Sequence, residues 1–255
     1  MISFSANLGF LWSERDLPMR IRAATDAGFQ AVEFHFPYDT PAGVLAAQLK
    51  TCGISPVSLN TIRGRPNSSD FGLAAVPGRE VEARNAIDQA VTYASAAGIP
   101  SIHVLAGLSL GLDGAVEAFN ANLTYALQRT AGSGQVILIE PINNRDAPGY
   151  ALPTLEDAMR IQDQVGDDRL KIMFDCYHLQ IMGGDLLRRF AAHRDRIGHV
   201  QFASVPNRGE PDMGEVDFRW LLPAFQDAGY SGTFGAEYQP RTTTDAGLGW
   251  MRAYR

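Results

Sequence analysis

Short apolar runs take turns with segments of helical period along the whole chain, and that alternation limits the folds open to it. ISFSANL (2–8), AVEFHF (31–36), ISPVSLN (54–60), SIHVLAG (101–107), VILIE (136–140), LKIMFD (170–175), IGHVQFA (197–203) and TFGAEY (233–238) have the apolar, β-branched character of strands. Continuous apolar runs such as Val136–Ile139 mark strands buried on both faces, as in a parallel sheet. Between and after them the spacing predicts helices over 17–27, 42–52, 79–97, 114–129, 153–164, 184–193, 217–228 and 244–254. Gly28 and Gly53 act as stop signals, and Thr154 as an N-cap with Asp157 three residues on. Eight strand–helix units over 255 residues come to about 32 residues each, a normal repeat for a single (β/α)8 barrel. A doubly wound open sheet is the rival, but the first turn reads LGFLWSE and lacks the Gly-x-Gly-x-x-Gly fingerprint of its nucleotide-binding forms. No linker, low-complexity tract or repeat divides the chain, so residues 1–255 are expected to form one TIM-barrel domain. The one long irregular stretch, 63–78, is expected to be a lid over the site.

The ends of the last four strands carry the chemistry. Glu140, Asp175, Gln201 and Glu237 close strands five to eight, and in a barrel those ends share one mouth. A lone acid at a strand end has an ordinary explanation, capping the next helix or pairing with an arginine. Four oxygen-bearing side chains on successive strands do not. Three carboxylates drawn together repel unless a cation neutralises them, so a divalent metal is expected there. All four candidate ligands offer oxygen, which suits Mg²⁺ or Mn²⁺ better than Zn²⁺ or Cu²⁺.

Composition removes several classes. The formal net charge of −6 leaves no basic footprint for nucleic acid. Cys52 and Cys176 form neither a disulfide framework nor a metal pair. MISFSANLGFLW has no basic n-region, and no run of about 18 apolar residues exists, so neither a signal peptide nor a membrane span is expected and a cytoplasmic location is.

EPIN around Glu140, FDCYHLQ around Asp175, GHVQFA around Gln201, NRGEPDMGEVDF and GAEYQPRTTTDAGL closely resemble the hydroxypyruvate isomerase family, with VEFHFPYD and VPGRE as further likenesses, so the resemblance covers about residues 2 to 252. That family belongs to the xylose-isomerase-like barrels, alongside ketose 3-epimerases and endonuclease IV. The resemblance implies one divalent metal held by Glu140, Asp175, Gln201 and Glu237, with Glu140 and Glu237 doubling as the acid/base pair. Many relatives have histidine where this chain has Gln201; the hydroxypyruvate-isomerase-like branch has glutamine. The implied reaction interconverts hydroxypyruvate and tartronate semialdehyde through an enediolate, which needs a base, an acid and a Lewis acid.

The same resemblance makes His178 a contact for substrate oxygens and Arg208 a partner for the substrate carboxylate, a role that suits a planar guanidinium. Asp146 is expected to bind substrate or a supporting group, and Glu210 to hold Arg208 in place. Glu33, His35 and Asn60 are expected to line the opposite half of the pocket, and Phe10, Trp12, Phe36 and Tyr38 to cover it. His103 and His199 are expected to be packed inside their strands. The partner is a small hydroxy-oxo acid or sugar, and the resemblance implies a homo-oligomer. A 2-oxotetronate isomerase and a ketose 3-epimerase are the nearest alternatives. A non-catalytic metal- or sugar-binding barrel and an endonuclease IV-like nuclease are more distant ones; the nuclease would need a histidine-rich zinc cluster from a chain with five histidines.

Overall fold

The computed structural model describes residues 2–254. Eight strands close into a barrel in chain order, every neighbouring pair parallel. They are β1 (Phe4–Asn7), β2 (Ala31–Phe34), β3 (Ser55–Asn60), β4 (Ser101–His103), β5 (Val136–Ile139), β6 (Leu170–Asp175), β7 (Ile197–Phe202) and β8 (Phe234–Ala236). The helices are α1 (Leu17–Ala27), α2 (Ala42–Cys52), α3 (Glu80–Ala97), α4 (Ala115–Arg129), α5 (Leu155–Val165), α6 (Cys176–Met182), α7 (Leu186–His193), α8 (Phe218–Asp227) and α9 (Thr244–Gly247). The chain is a (β/α)8 TIM barrel, as its alternation predicts. β6 keeps the bounds of its run, and β3 ends where its run does; the other six strands stop one to four residues before their runs do, where the chain turns into the loop at the mouth. The helix expected over 244–254 is one α-helical turn followed by a 3-10 stretch, Leu248–Tyr254.

Local chemistry sets the helix ends. Asp16 accepts the Met19 N–H to open α1, and Gly28 closes it at φ 91°, a left-handed conformation that favours glycine. Thr154 accepts the Asp157 N–H at the start of α5. The main apolar core lies between strands and helices, where Ala6, Val32, Leu59, Ile102, Ile137, Ile172, Val200 and Phe234 are buried. Its densest part is aromatic: Phe174, Phe190 and Phe225 on β6, α7 and α8 meet with ring centroids 4.5 to 5.9 Å apart.

Two departures from expectation shape the mouth. A short helix, α6, starts directly after β6, with Asp175 as its N-cap accepting the Tyr177 N–H at 2.8 Å. The stretch 63–78 is only in part an open loop. Leu73, Ala74 and Ala75 are buried, and the N–H groups of Ala74 and Ala75 donate to the carbonyls of Leu105 and Ala106 beyond β4. Gly72 and Gly107 allow this close approach, since a Cβ on Gly107 would lie 2.6 Å from the Gly72 carbonyl oxygen. The lid expected over 63–78 is thus anchored over its second half, and its run of exposed residues is 65–69.

Candidate active site

Asp175 and Gln201 are direct neighbours in the β6–β7 register, so their side chains leave the sheet on the same side. Glu140 and Glu237 each follow the last residue of their strand, β5 and β8. All four are buried. The structure draws Glu140, Asp175 and His178 together, with one ligand atom from each lying within 4.8 Å of the others. Arg208 bridges the cluster, its Nη2 standing 2.7 Å from Glu237 Oε2 and 3.6 Å from Asp175 Oδ2.

The two glutamates sit in unlike surroundings. Glu237 Oε1 accepts from Asn7 Nδ2 at 2.9 Å and lies 2.8 Å from His35 Nε2, while Oε2 takes Arg208. The Asn7 amide orientation is fixed because its Oδ1 accepts the Gly9 N–H. Burial pushes the Glu237 carboxyl up, but Arg208 and His35 outweigh it and hold Glu237 below the usual carboxylate range. Glu140 has no such company. Among the described residues its ion-pair contacts are His103 Nδ1 at 3.6 Å and His178 Nε2 at 3.8 Å. Burial, then the charges of Glu237 and Asp175, push its carboxyl well up. Burial likewise raises Asp175, to about 7, against the pull of Arg208. Burial opposes the charge on Arg208 too, yet Glu237, Asp175 and Glu140 keep it protonated.

His178 is held in one tautomer. Asn143 Oδ1 accepts the N–H groups of Arg145 and Asp146, so its amide nitrogen is the atom facing His178 Nδ1 at 2.6 Å. Nδ1 is thus an acceptor, and the proton of the neutral ring is on Nε2, which points between Asp175 at 3.5 Å and Glu140. Burial and the Arg208 charge keep the ring neutral, well below its ordinary pKa. His178 Nε2 is therefore a donor at the site, and it would give up its proton to join Glu140 and Asp175 around a metal ion.

The residues present suit a hard divalent cation. Glu140 Oε1, Asp175 Oδ2 and Gln201 Oε1 are buried oxygens with no hydrogen-bond partner among the described residues. Buried acceptors are rarely left unpaired without a function or an ion. Three such oxygens from three adjacent strand ends form a hard-oxygen donor set.

The remaining sequence-derived candidates fall in different places. Asp146 lies 3.8 Å from Arg208 Nη1, accepts from Tyr177 Oη at 3.3 Å and so joins the rim of the cluster. Glu210 is buried but pairs with Arg241, through its Nε at 2.8 Å and its backbone N–H at 3.1 Å. Among the described residues no ion pair joins Glu210 to Arg208. The Arg208 loop is held by its own backbone instead, with the Arg208 N–H donating to Ser204 O and the Gln239 N–H to Arg208 O, both at 2.8 Å. Phe10 and Tyr177 sandwich the Arg208 guanidinium at 5.1 and 5.0 Å.

Four residues at or beside the site escape the sequence reading. His103, expected inside its strand packing, faces Glu140, with burial lowering it to about 4 and its Nε2 unpartnered. Asn7 and Asn143 position Glu237 and His178. Arg63 lies between the rings of Phe36 and Phe71, at 5.7 and 4.5 Å, with no carboxylate within ion-pair reach among the described residues. It lines a cavity of about 570 Å³ together with Phe10, His35 and Phe36. Of the expected covering aromatics, Trp12 is fully buried with its Nε1 donating to Asp245. Tyr38 donates to the Asn60 carbonyl.

Residues 21–254 match the xylose isomerase-like TIM barrel family, and the chain belongs to it. Relatives that it matches over the full length are named as isomerases, and this chain is an enzyme of that class. It is 42% identical to a 2-oxo-tetronate isomerase from Cupriavidus necator, covering 100% of this chain and 99% of that one. It is 39% identical to hydroxypyruvate isomerase from Escherichia coli, covering 100% of each. Among solved structures it resembles one titled as an AP endonuclease, family 2, from Brucella melitensis, with 39% identity, a TM-score of 0.96 and 100% of both chains covered.

Proposed function

We propose that this chain is a divalent-metal-dependent isomerase interconverting hydroxypyruvate and tartronate semialdehyde. The observation that carries the reading is the pairing of two glutamates of opposite character with three unpartnered buried oxygens. Glu140, Asp175, Gln201 and Glu237 would hold Mg²⁺ or Mn²⁺, which supplies Lewis acidity at the oxygens where charge develops. Glu140 and Glu237 serve as acid and base. One takes a proton from C3 to give the enediolate and the other returns a proton to C2. A proton passes from O3 to O2, so the formula is unchanged. The His178 Nε2–H donates to a substrate oxygen, and Arg208 neutralises the acids and faces the substrate carboxylate. Asp146 orients Arg208 and Tyr177. Phe10 and Tyr177 keep water from the guanidinium face.

A 2-oxotetronate is the second reading, favoured by the Cupriavidus relative, since it needs the same proton transfers in a longer pocket. The nuclease reading suggested by the name of the Brucella relative is weaker here, because the net charge is −6 and the acids are not matched by a histidine cluster.

Proton NMR of hydroxypyruvate in D₂O tests the reading. Tartronate semialdehyde carrying solvent deuterium, formed only with added Mg²⁺ or Mn²⁺, is the expected result. Absence of both turnover and exchange removes the hydroxypyruvate assignment. A larger kcat/KM for a 2-oxotetronate replaces it with the second reading, and cleavage of abasic-site DNA replaces both.

A further inference from the structure

Gln201 does not stand alone beside the acids. Its Nε2 donates to Glu33 Oε2 at 2.7 Å across the inside of the barrel, from β7 to β2. Glu33 also accepts from Ser5 Oγ at 2.8 Å, and His199 Nε2 lies 3.2 Å from Oε2. All four residues are buried. Glu33 falls at the register irregularity of β2, the kind of local bulge that re-aims a side chain. Gly235 on β8 leaves the space: a Cβ there would lie 2.3 Å from Glu33 Oε1 and 2.8 Å from Gln201 Cγ.

A glutamine amide has two ends of nearly equal shape, and only its hydrogen bonds choose between them. Both Glu33 oxygens act as acceptors, Oε1 from the Ser5 hydroxyl and Oε2 from Gln201, so the end facing Glu33 is the NH₂. The oxygen is then turned the other way, and it is the Gln201 atom found buried without a partner. We propose that Glu33 is the positioning residue that presents the Gln201 carbonyl oxygen, and not its NH₂, to the divalent cation. This rests on the metal-dependent reading above. A flipped amide would set a donor with no free lone pair against a cation, so the site would lose a ligand and gain a repulsive group. Residues that orient metal ligands typically change affinity by about 10–100-fold when altered.

Mn²⁺ titration of the metal-free full chain, with free ion followed by electron paramagnetic resonance, tests this without any substrate. Glu33→Gln is expected to weaken Mn²⁺ binding by about 10–100-fold. In a Gln201→Ala background the same change is expected to alter affinity by less than about twofold, since the group it positions is gone. Two results overturn the proposal: Mn²⁺ affinity of Glu33→Gln within about twofold of the unchanged protein, or an equal loss in both backgrounds, which would make Glu33 a source of charge only. Melting curves in EDTA separate folding from binding. Should Glu33→Gln not fold, Glu33→Asp takes its place in the same cycle. No Mn²⁺ binding by the unchanged protein overturns the metal reading itself, an outcome distinct from loss in the variant alone.

Discussion

Glu140 and Glu237 have the same side chain, follow strands of the same barrel and face the same cluster, yet the protein treats them oppositely. Both oxygens of Glu237 are taken up by Asn7, His35 and Arg208, and its charge is held. Glu140 is given burial, two nearby carboxylates and one oxygen without a hydrogen bond, which together push its carboxyl well up. Two titratable groups driven apart by their surroundings are what acid/base chemistry near neutral pH requires. The lesson is that the role of a carboxylate is written by its neighbours, most of which come from distant strands.

The strongest way to break the comparison is to neutralise each glutamate in turn. Glu140→Gln and Glu237→Gln are each expected to lower kcat/KM by about 10³-fold, measured at saturating Mn²⁺. If one variant keeps most of its activity, the pair is not an acid/base pair. Proton competition sharpens the contrast next. Metal ligands must be deprotonated, and Asp175 stands at about 7 with Glu140 raised as well. Mn²⁺ affinity is therefore expected to rise with pH across neutrality and to fall by about tenfold or more per pH unit well below pH 7, as isothermal titrations across pH 5.5–8 will read. A flat profile would mean that the cluster binds no protons.

Stability should separate the two glutamates even where activity does not. Without metal, Glu237→Gln leaves the largely buried Arg208 without its nearest partner and is expected to cost about 2 kcal/mol in urea unfolding at pH 7. Glu140→Gln removes a carboxyl whose charge is opposed by burial and by its acidic neighbours, and is expected to change stability by less than about 1 kcal/mol. The smallest effect concerns the rim. Arg63→Met keeps the aromatic packing but removes a cation from the cavity, and is expected to raise KM for hydroxypyruvate about threefold to tenfold while leaving kcat unchanged, a loss of uniform binding. An unchanged KM would place Arg63 outside substrate recognition.

Much of this was legible in the chain itself. Apolar runs on a β/α rhythm define the barrel, and Glu140, Asp175 and Gln201 stand out because polar residues interrupt those runs at their ends. The parts that were not legible have physical reasons. β4 is three residues long, too short for alternation to tell which way His103 faces. α6 spans seven residues, too few for a helical period to show against the apolar run of β6. Asn7 and Glu33 act on residues more than 150 positions away, and sequence spacing carries no trace of such contacts. The anchored half of 63–78 did have a signal: Phe71, Leu73, Ala74, Ala75 and Val76 form an apolar run inside an otherwise polar stretch. Glu210 misled because neighbours in a loop need not be partners, and a closer cation, Arg241, came from the strand eight loop.

Asp175 caps α6 with one oxygen and leaves the other without a hydrogen bond. The capping bond mounts the carboxylate on backbone before any ion arrives. Loading should then demand little of the main chain, only a shift of side chains such as Arg208. Crystals grown without metal should accept Mn²⁺ by soaking and keep their lattice, and the exchange rate of the ion should be set by loss of its water shell instead of by movement of the fold.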